Sequence, residues 1–256
     1  MEFVELEEAK RRPGLRLVTV AGVPSPWSEA AKGILRVERI PFVGVRMQPG
    51  RPEVPAWTGQ TSAPVAIYGD EAPRSGWAEI LLLAERLAPE PRLVPRDPAE
   101  RAWLLGWCHE ICGEDGLGWA RRLERIHESF ESDGREGFAL PVAKYLAPKY
   151  GYRPEAGAAA RGRVIEVLGM LSGRLREQRA AGSDHYLGDR PSALDIYSAA
   201  FVGLLAPLPP ELLPLPEALR RAFASLHPDL EKALDPLLIE HRDRIYREHL
   251  ELPVAL

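Results

Sequence analysis

Ser25-Pro26-Trp27-Ser28 closes a strand-like run, Leu15-Arg16-Leu17-Val18-Thr19-Val20, and opens a helix-like one from Ser28 to Arg39. A polar side chain held where a strand feeds a helix meets backbone N–H groups that have no intrahelical partner. It also meets the positive end of the helix dipole, and together these favour an anion such as a thiolate. The simpler reading is that Ser25 or Ser28 is a cap, with Pro26 at a first-turn position that tolerates it.

The flanking chain supports a strand–helix junction. Gly14 and Gly22 bound the strand, and the helix carries Ala30, Ala31, Ile34 and Leu35 on one side against Glu29, Lys32, Arg36 and Arg39. A second β-prone run, Phe42-Val43-Gly44-Val45-Arg46-Met47, stops at Gln48-Pro49-Gly50-Arg51-Pro52. The helical crossover makes these two strands parallel and right-handed. From Gln48 to Thr61 no helix pattern shows. Pro64 then precedes the apolar run Val65-Ala66-Ile67-Tyr68, as suits a strand's first residue, at a bend where an X-Pro bond can be cis. A turn at Asp70-Glu71-Ala72-Pro73 leads through Arg74-Ser75-Gly76 into a helix with Trp77, Ile80, Leu81, Ala84 and Leu87 at helical spacing. Residues 15 to about 90 thus read as strand, helix, strand, strand, helix.

Residues 88–98 hold too many prolines to continue a helix and read as a link. Beyond them strand signals fade, and helices are expected near 98–131, 138–147, 156–181, 192–206, 215–235 and 236–250. The expected fold class is α/β followed by all-α: residues 1–90 as one domain, 91–98 as linker, 99–256 as an all-helical domain. One helix start, Ser192-Ala193-Leu194-Asp195, has capping-box spacing, and Asp195 reads as a structural residue there.

Composition narrows the function classes. The chain has 256 residues, 45% hydrophobic and 27% charged, and a net charge of -4, as in ordinary globular proteins. Its Lys and Arg are interspersed with Asp and Glu, which argues against nucleic acid as a partner. The acidic start, Met1 to Glu8, lacks the basic and apolar regions of a signal peptide, and no run reaches the length of a membrane span. A cytoplasmic protein with no membrane partner is expected. Cys108 and Cys112, four apart on one helix, suit buried free thiols better than a disulfide or half of a metal site, and no metal is expected.

A βαβ-then-ββα unit, a proline-rich link and a helical remainder resemble the glutathione transferase superfamily, with its thioredoxin-like first domain, over about residues 15 to 250. Ser25-Pro26-Trp27-Ser28 looks like a serine version of the glutaredoxin motif Cys-Pro-Tyr-Cys. Ala63-Pro64 matches the cis-proline position. Arg74-Ser75 falls where the family has a Glu-Ser pair for the γ-glutamyl end of glutathione, and Tyr186 to Asp195 is similar to the family's capping-box segment.

The resemblance implies glutathione as co-substrate, with Ser25 as the catalytic hydrogen-bond donor to its thiolate. Ser25, Trp27, Ala63, Pro64, Arg74 and Ser75 would bind glutathione, and Ser28 would remain the cap. With serine at both positions no mixed disulfide can form, so conjugation, substitution or isomerisation is implied rather than thiol–disulfide exchange. A small hydrophobic electrophile would sit between the domains against Trp103, Trp107, His109, Glu110 and Trp119, although aromatics at this spacing commonly serve as core. A homodimer is implied. Two departures stand out: Arg74 replaces an acid, and the basic contact to the glycyl end has no clear equivalent, Arg51 and Gln60 being the candidates. A non-catalytic binding or scaffold protein on the same fold is the alternative, and Arg74 is the feature that favours it.

Overall fold

Leu15–Val20 becomes the central strand because both of its faces find apolar cover. In the computed structural model, which describes residues 1–88 and 90–256, the elements of the first part are β1 (Glu2–Phe3), α1 (Leu6–Arg11), β2 (Leu15–Val20), α2 (Pro26–Val37), β3 (Phe42–Met47), α3 (Glu53–Thr58), β4 (Val65–Tyr68) and α4 (Trp77–Leu87). The sheet order is β1-β3-β2-β4. β3 runs parallel to β1 and β2, and β4 runs antiparallel to β2 with Val18 opposite Val65. Leu15, Leu17 and Ala66 pack toward α2 and α4, whereas Val18, Val45, Val65 and Ile67 pack with Ala9 and Val54 from α1 and α3. Burying one of these Leu, Val or Ile side chains contributes about 1.5–3 kcal/mol, and an alanine methyl less.

The βαβ unit and the third strand match the sequence expectation, and several details correct it. β1 and α1 precede the unit and cover its outer edge. A helix does form between Gln48 and Thr61: α3 has Pro52 at its N-cap and closes on Gly59 in the left-handed conformation, φ 68°. The βαβ-then-ββα pattern implies a further strand after the Asp70–Pro73 turn, and only one bridge forms there, in which Ala66 and Arg74 exchange backbone hydrogen bonds of 2.8 and 2.9 Å. Pro89, in the stretch read as a link, lies outside the described residues.

The second part contains α5 (Pro98–Cys112), α6 (Leu117–Glu131), α7 (Leu140–Lys149), α8 (Pro154–Ala180), α9 (Ala193–Val202), α10 (Glu217–Ala224), α11 (Pro228–Ala233) and α12 (Pro236–His249). The stretch 98–131 is two helices rather than one. Gly113 is extended (φ -76°, ψ 175°), and a side chain at Gly116 would stand 2.7 Å from the carbonyl oxygens of His109 and Glu110, so only glycine permits the turn. Residues 215–235 also divide, because Pro228 starts a new helix behind His227 as N-cap. Among the described residues no helix is long and apolar enough to cross a membrane.

Two polar devices brace the fold, the first of them within the helical part. Asp195 is fully buried and accepts from the Ser192 N–H (2.8 Å), the Ser192 hydroxyl (2.7 Å) and the Tyr186 N–H (3.2 Å). His185 and His241 approach its Oδ1 to 3.4 and 3.3 Å without hydrogen-bond alignment. Burial pushes the Asp195 carboxyl up, but His185, His241 and Ser192 outweigh it and hold the group below its ordinary value. The second device lies near the link. Glu85 accepts from the N–H groups of Leu93 (2.7 Å) and Val94 (2.8 Å) and pairs with Arg92 at 2.9 Å. Leu93 in turn accepts from the Ala193 N–H at 2.9 Å, which joins α4, the link and α9.

Candidate functional site

Three segments meet at one end of the sheet. β2 exits there toward α2. The register that sets Val18 against Val65 brings Ala63-Pro64 alongside the end of β2, and the Ala66–Arg74 bridge brings Ser75 beside Pro64. The Ala63–Pro64 peptide bond is cis. At this junction α2 begins at Pro26, two residues before the expected Ser28, so Ser25 is the N-cap and Ser28 the third helical residue. This corrects the reading of Ser28 as cap.

Ser25 holds the N-cap backbone position (φ -72°, ψ 121°), yet its hydroxyl makes no capping hydrogen bond. The Trp27 and Ser28 N–H groups, which an N-cap side chain ordinarily satisfies, find no acceptor among the described residues. Ser28 is buried, and its hydroxyl also lacks a partner among the described residues. The junction therefore offers two backbone donors and the Ser25 hydroxyl at the positive end of a twelve-residue helix, a set that holds an anion.

α4 repeats part of this pattern. Its N-cap, Gly76, has no side chain to contribute, and only its own N–H is engaged, by Glu79 at 2.9 Å. Ser75 and Arg74 precede it. Glu71 takes Arg74 Nη2 at 2.7 Å and Arg86 Nη2 at 2.7 Å, and these two guanidiniums, Arg86 first, hold the Glu71 carboxyl below its ordinary value. Arg74 Nη1 is buried and has no partner among the described residues, so one edge of the guanidinium keeps unmet donors.

The Trp27 side chain is committed elsewhere. Its indole donates to the Cys112 carbonyl at 2.9 Å, and its ring meets Phe201 edge-on at 4.9 Å. Tyr150 lies 6.4 Å from the same ring. Trp27 therefore staples α2 to the helical part and has its backbone N–H left for a ligand.

The residues expected to line a second pocket divide among three places. Trp119 stacks edge-on against Tyr150 at 4.8 Å and donates to its carbonyl at 3.2 Å, which connects it to Trp27. His109 lies 6.4 Å from the Trp77 ring, at the start of α4. Trp103 and Trp107 pair at 4.9 Å on another face of α5, with the Arg174 guanidinium over Trp103 at 5.0 Å. Glu110 on that side is paired with Arg163. Trp119 is thus linked to Trp27 only through Tyr150, His109 lies near the start of α4, and Trp103 and Trp107 form a separate pair. Tyr150, which sequence reading passed over, forms the hinge of the aromatic chain; its only sequence signal was its place at a helix end before Gly151. Cys108 and Cys112 are buried free thiols, and burial pushes both far above the thiol's ordinary value, so neither is a ready nucleophile.

The sheet order, the cis-proline strand entry and the helical second half decide the architecture. The fold is that of the glutathione transferases. A glutathione S-transferase from Methylobacterium radiotolerans in complex with glutathione sulfonate is 19% identical, with 91% of each chain covered and a TM-score of 0.59. One from Methylobacillus flagellatus with glutathione bound is 15% identical, over 91% of this chain and 95% of that one, at 0.62. Yeast Ure2p in complex with glutathione is 13% identical, over 92% and 95%, at 0.61. No family model matches the chain, and no curated protein matches it. At these identities the likeness concerns the glutathione transferase fold: a thioredoxin-like unit followed by helices.

Proposed function

We propose that the chain is a glutathione-dependent transferase of the serine type, acting on a small hydrophobic electrophile. The observation that carries this reading is the uncapped start of α2: a hydroxyl and two N–H groups left open beside a cis-proline. Glutathione's thiol, with a pKa of roughly 8.5, is mostly protonated at neutral pH, and only its thiolate attacks. Ser25 donates to that thiolate while the thiol proton leaves to water, and the sulfur then forms its bond to the electrophile's carbon. That carbon either releases an anionic leaving group to solvent or gives up a π bond whose electron pair takes a proton from water. One charge-assisted hydrogen bond, about 1.5–3 kcal/mol, lowers the thiol pKa by roughly one to two.

In this reading the backbone of Ala63, next to Pro64, pairs with the cysteinyl part of glutathione, and Ser75 with the free edge of Arg74 receives the γ-glutamyl carboxylate. The open donors of α4 support the same placement. Residues 1–90 form the glutathione-binding domain, 91–98 the linker and 99–256 the helical domain. Trp119 and His109 border the electrophile's place. The protein acts as a cytoplasmic homodimer. Glutathione complexes among the structural neighbours support the co-substrate.

A second reading, a non-catalytic binding protein, is favoured by Arg74, since Glu71 already holds part of the guanidinium that replaces the usual acid. Ure2p, whose fragment is described as a nitrogen regulation fragment, has the same fold. Calorimetry with reduced glutathione tests the transferase reading, and turnover of an activated aryl halide by the glutathione-bound protein separates it from a non-catalytic binder. The transferase reading expects saturable binding at millimolar glutathione, and absence of heat there removes it.

A further inference from the structure

α2 carries a second recognition feature at its other end. A cavity of about 310 Å³ lies between the last turns of α2, the start of β3 and the segment following α12. Arg36 follows Ser25 by eleven residues, which places it roughly 16 Å along the helix from the uncapped start. None of Ser25, Ala63, Pro64, Arg74 or Ser75 lines this cavity.

Ile40, Phe42, Tyr246 and Leu250 form the apolar part of its walls, and Glu29, Lys32, Arg36, Arg39 and Glu251 supply the charged part. Gly33 belongs to the floor: a side chain there would stand 2.6 Å from Leu250. The acids that line the space are already engaged. Glu29 pairs with Lys32 at 2.7 Å, Lys32 also donates to the Ala255 carbonyl at 2.7 Å, and Glu251 pairs with the amino group of Met1. Arg36 and Arg39 are exposed and make no ion pair or side-chain hydrogen bond among the described residues. Two uncompensated guanidiniums therefore stand beside a partly apolar hollow whose other charges are paired.

The helix end accounts for part of this. Cations near a helix C-terminus gain about 0.3–1 kcal/mol from the dipole. That explains a basic last turn and leaves the hollow unexplained. Arg39 also occupies the left-handed position after the helix, φ 57°, where the Ile40 N–H closes on the Leu35 carbonyl at 2.9 Å. Glycine is the residue such a position favours, and a non-glycine there is disfavoured.

We propose that this cavity binds an organic carboxylate, its anionic head held by Arg36 and Arg39 and its apolar body against Ile40, Phe42, Tyr246 and Leu250. The volume suits a compact two-ring or short-chain acid, at the small end of ligand pockets. Paired guanidiniums match a planar carboxylate, and apolar walls reject a fully hydrated ion.

The test is calorimetric titration of the full chain with 2-naphthoate, and with 2-naphthylmethanol as its uncharged counterpart. The expected result is one naphthoate per chain, with affinity at least about tenfold weaker for the alcohol and for the Arg36→Ala/Arg39→Ala double variant. Saturating glutathione and Ser25→Ala leave naphthoate binding unchanged. Both arginines are exposed, and an unfolding midpoint measured alongside confirms the fold; the single variant Arg36→Glu, expected to weaken binding by charge reversal, provides a second reading. Absence of naphthoate binding, equal affinity in the arginine variants, or displacement by glutathione overturns the proposal.

Discussion

Glu38 gives the sharpest stability test in the molecule. It is the residue that follows α2, 1% exposed, and neither carboxyl oxygen has a hydrogen-bond partner among the described residues. Burial, then the charge of Glu85, pushes its pKa from 4.5 to about 9. The groups facing it are Glu85 on α4, Arg92 in the link, whose attraction opposes the shift, and Tyr197 on α9, whose hydroxyl burial keeps neutral. Because the folded value lies above the unfolded one, the protonated carboxyl's full contribution to stability is present below about pH 4.5 and is lost as pH rises toward about 9. Each pH unit in that window costs up to about 1.4 kcal/mol, so at about pH 8 the ceiling is near 5 kcal/mol. Relaxation and hydration around the ionised group reduce such penalties, and roughly 1–3 kcal/mol is the expected effect. Glu38→Gln keeps the shape and removes the titration. Urea unfolding followed by tryptophan fluorescence, at intervals from about pH 5 to pH 9, should give similar midpoints at the acid end. The variant's stability should rise above wild type as pH increases. A gap between the two proteins that does not change with pH, or a variant less stable at about pH 8, refutes the reasoning.

Two further substitutions probe the helical part and its contact with α2. Asp195→Asn replaces one of the acceptor oxygens that hold the Ser192 and Tyr186 donors with an NH2 group; a loss of about 3 kcal/mol is expected in chemical unfolding above about pH 4, and the difference should narrow as pH falls through the carboxyl's depressed value. Gly118→Ala pushes a methyl into the Phe201 ring and to within 2.9 Å of Trp27 Cη2; overpacking of about 1–3 kcal/mol should lower the thermal midpoint and alter Trp27 emission.

Much of the first part was legible because its signals are local. Leu15–Val20, Phe42–Met47 and Val65–Tyr68 carry apolar β-prone runs, and α2 and α4 show helical spacing between clear breakers. The elements that were missed are short or carry weak signals. α3 has a proline in its interior within six residues, and β1 has two residues that gain meaning only by pairing with Val43 and Gly44. Helix lengths in the second part failed where glycine or proline geometry, at Gly113–Gly116 and Pro228, interrupts a continuous apolar stripe. The site was visible as a motif in Ser25-Pro26-Trp27-Ser28, but its decisive property was not. Whether a cap serine spends its hydroxyl on the helix depends on backbone angles that no residue pattern encodes. Nor does spacing reveal that Trp27 sends its indole to Cys112, or that Trp103 and Trp107 face away from His109.

The uncapped α2 start acquires its meaning through the sulfur it is proposed to hold. Ultraviolet titration of the thiolate of bound glutathione, on wild type and Ser25→Ala at equal saturation, tests this most directly. The account expects the thiol pKa on wild type to fall roughly one to two below its free value near 8.5 and to return most of the way in Ser25→Ala. Identical titrations for the two proteins would contradict it.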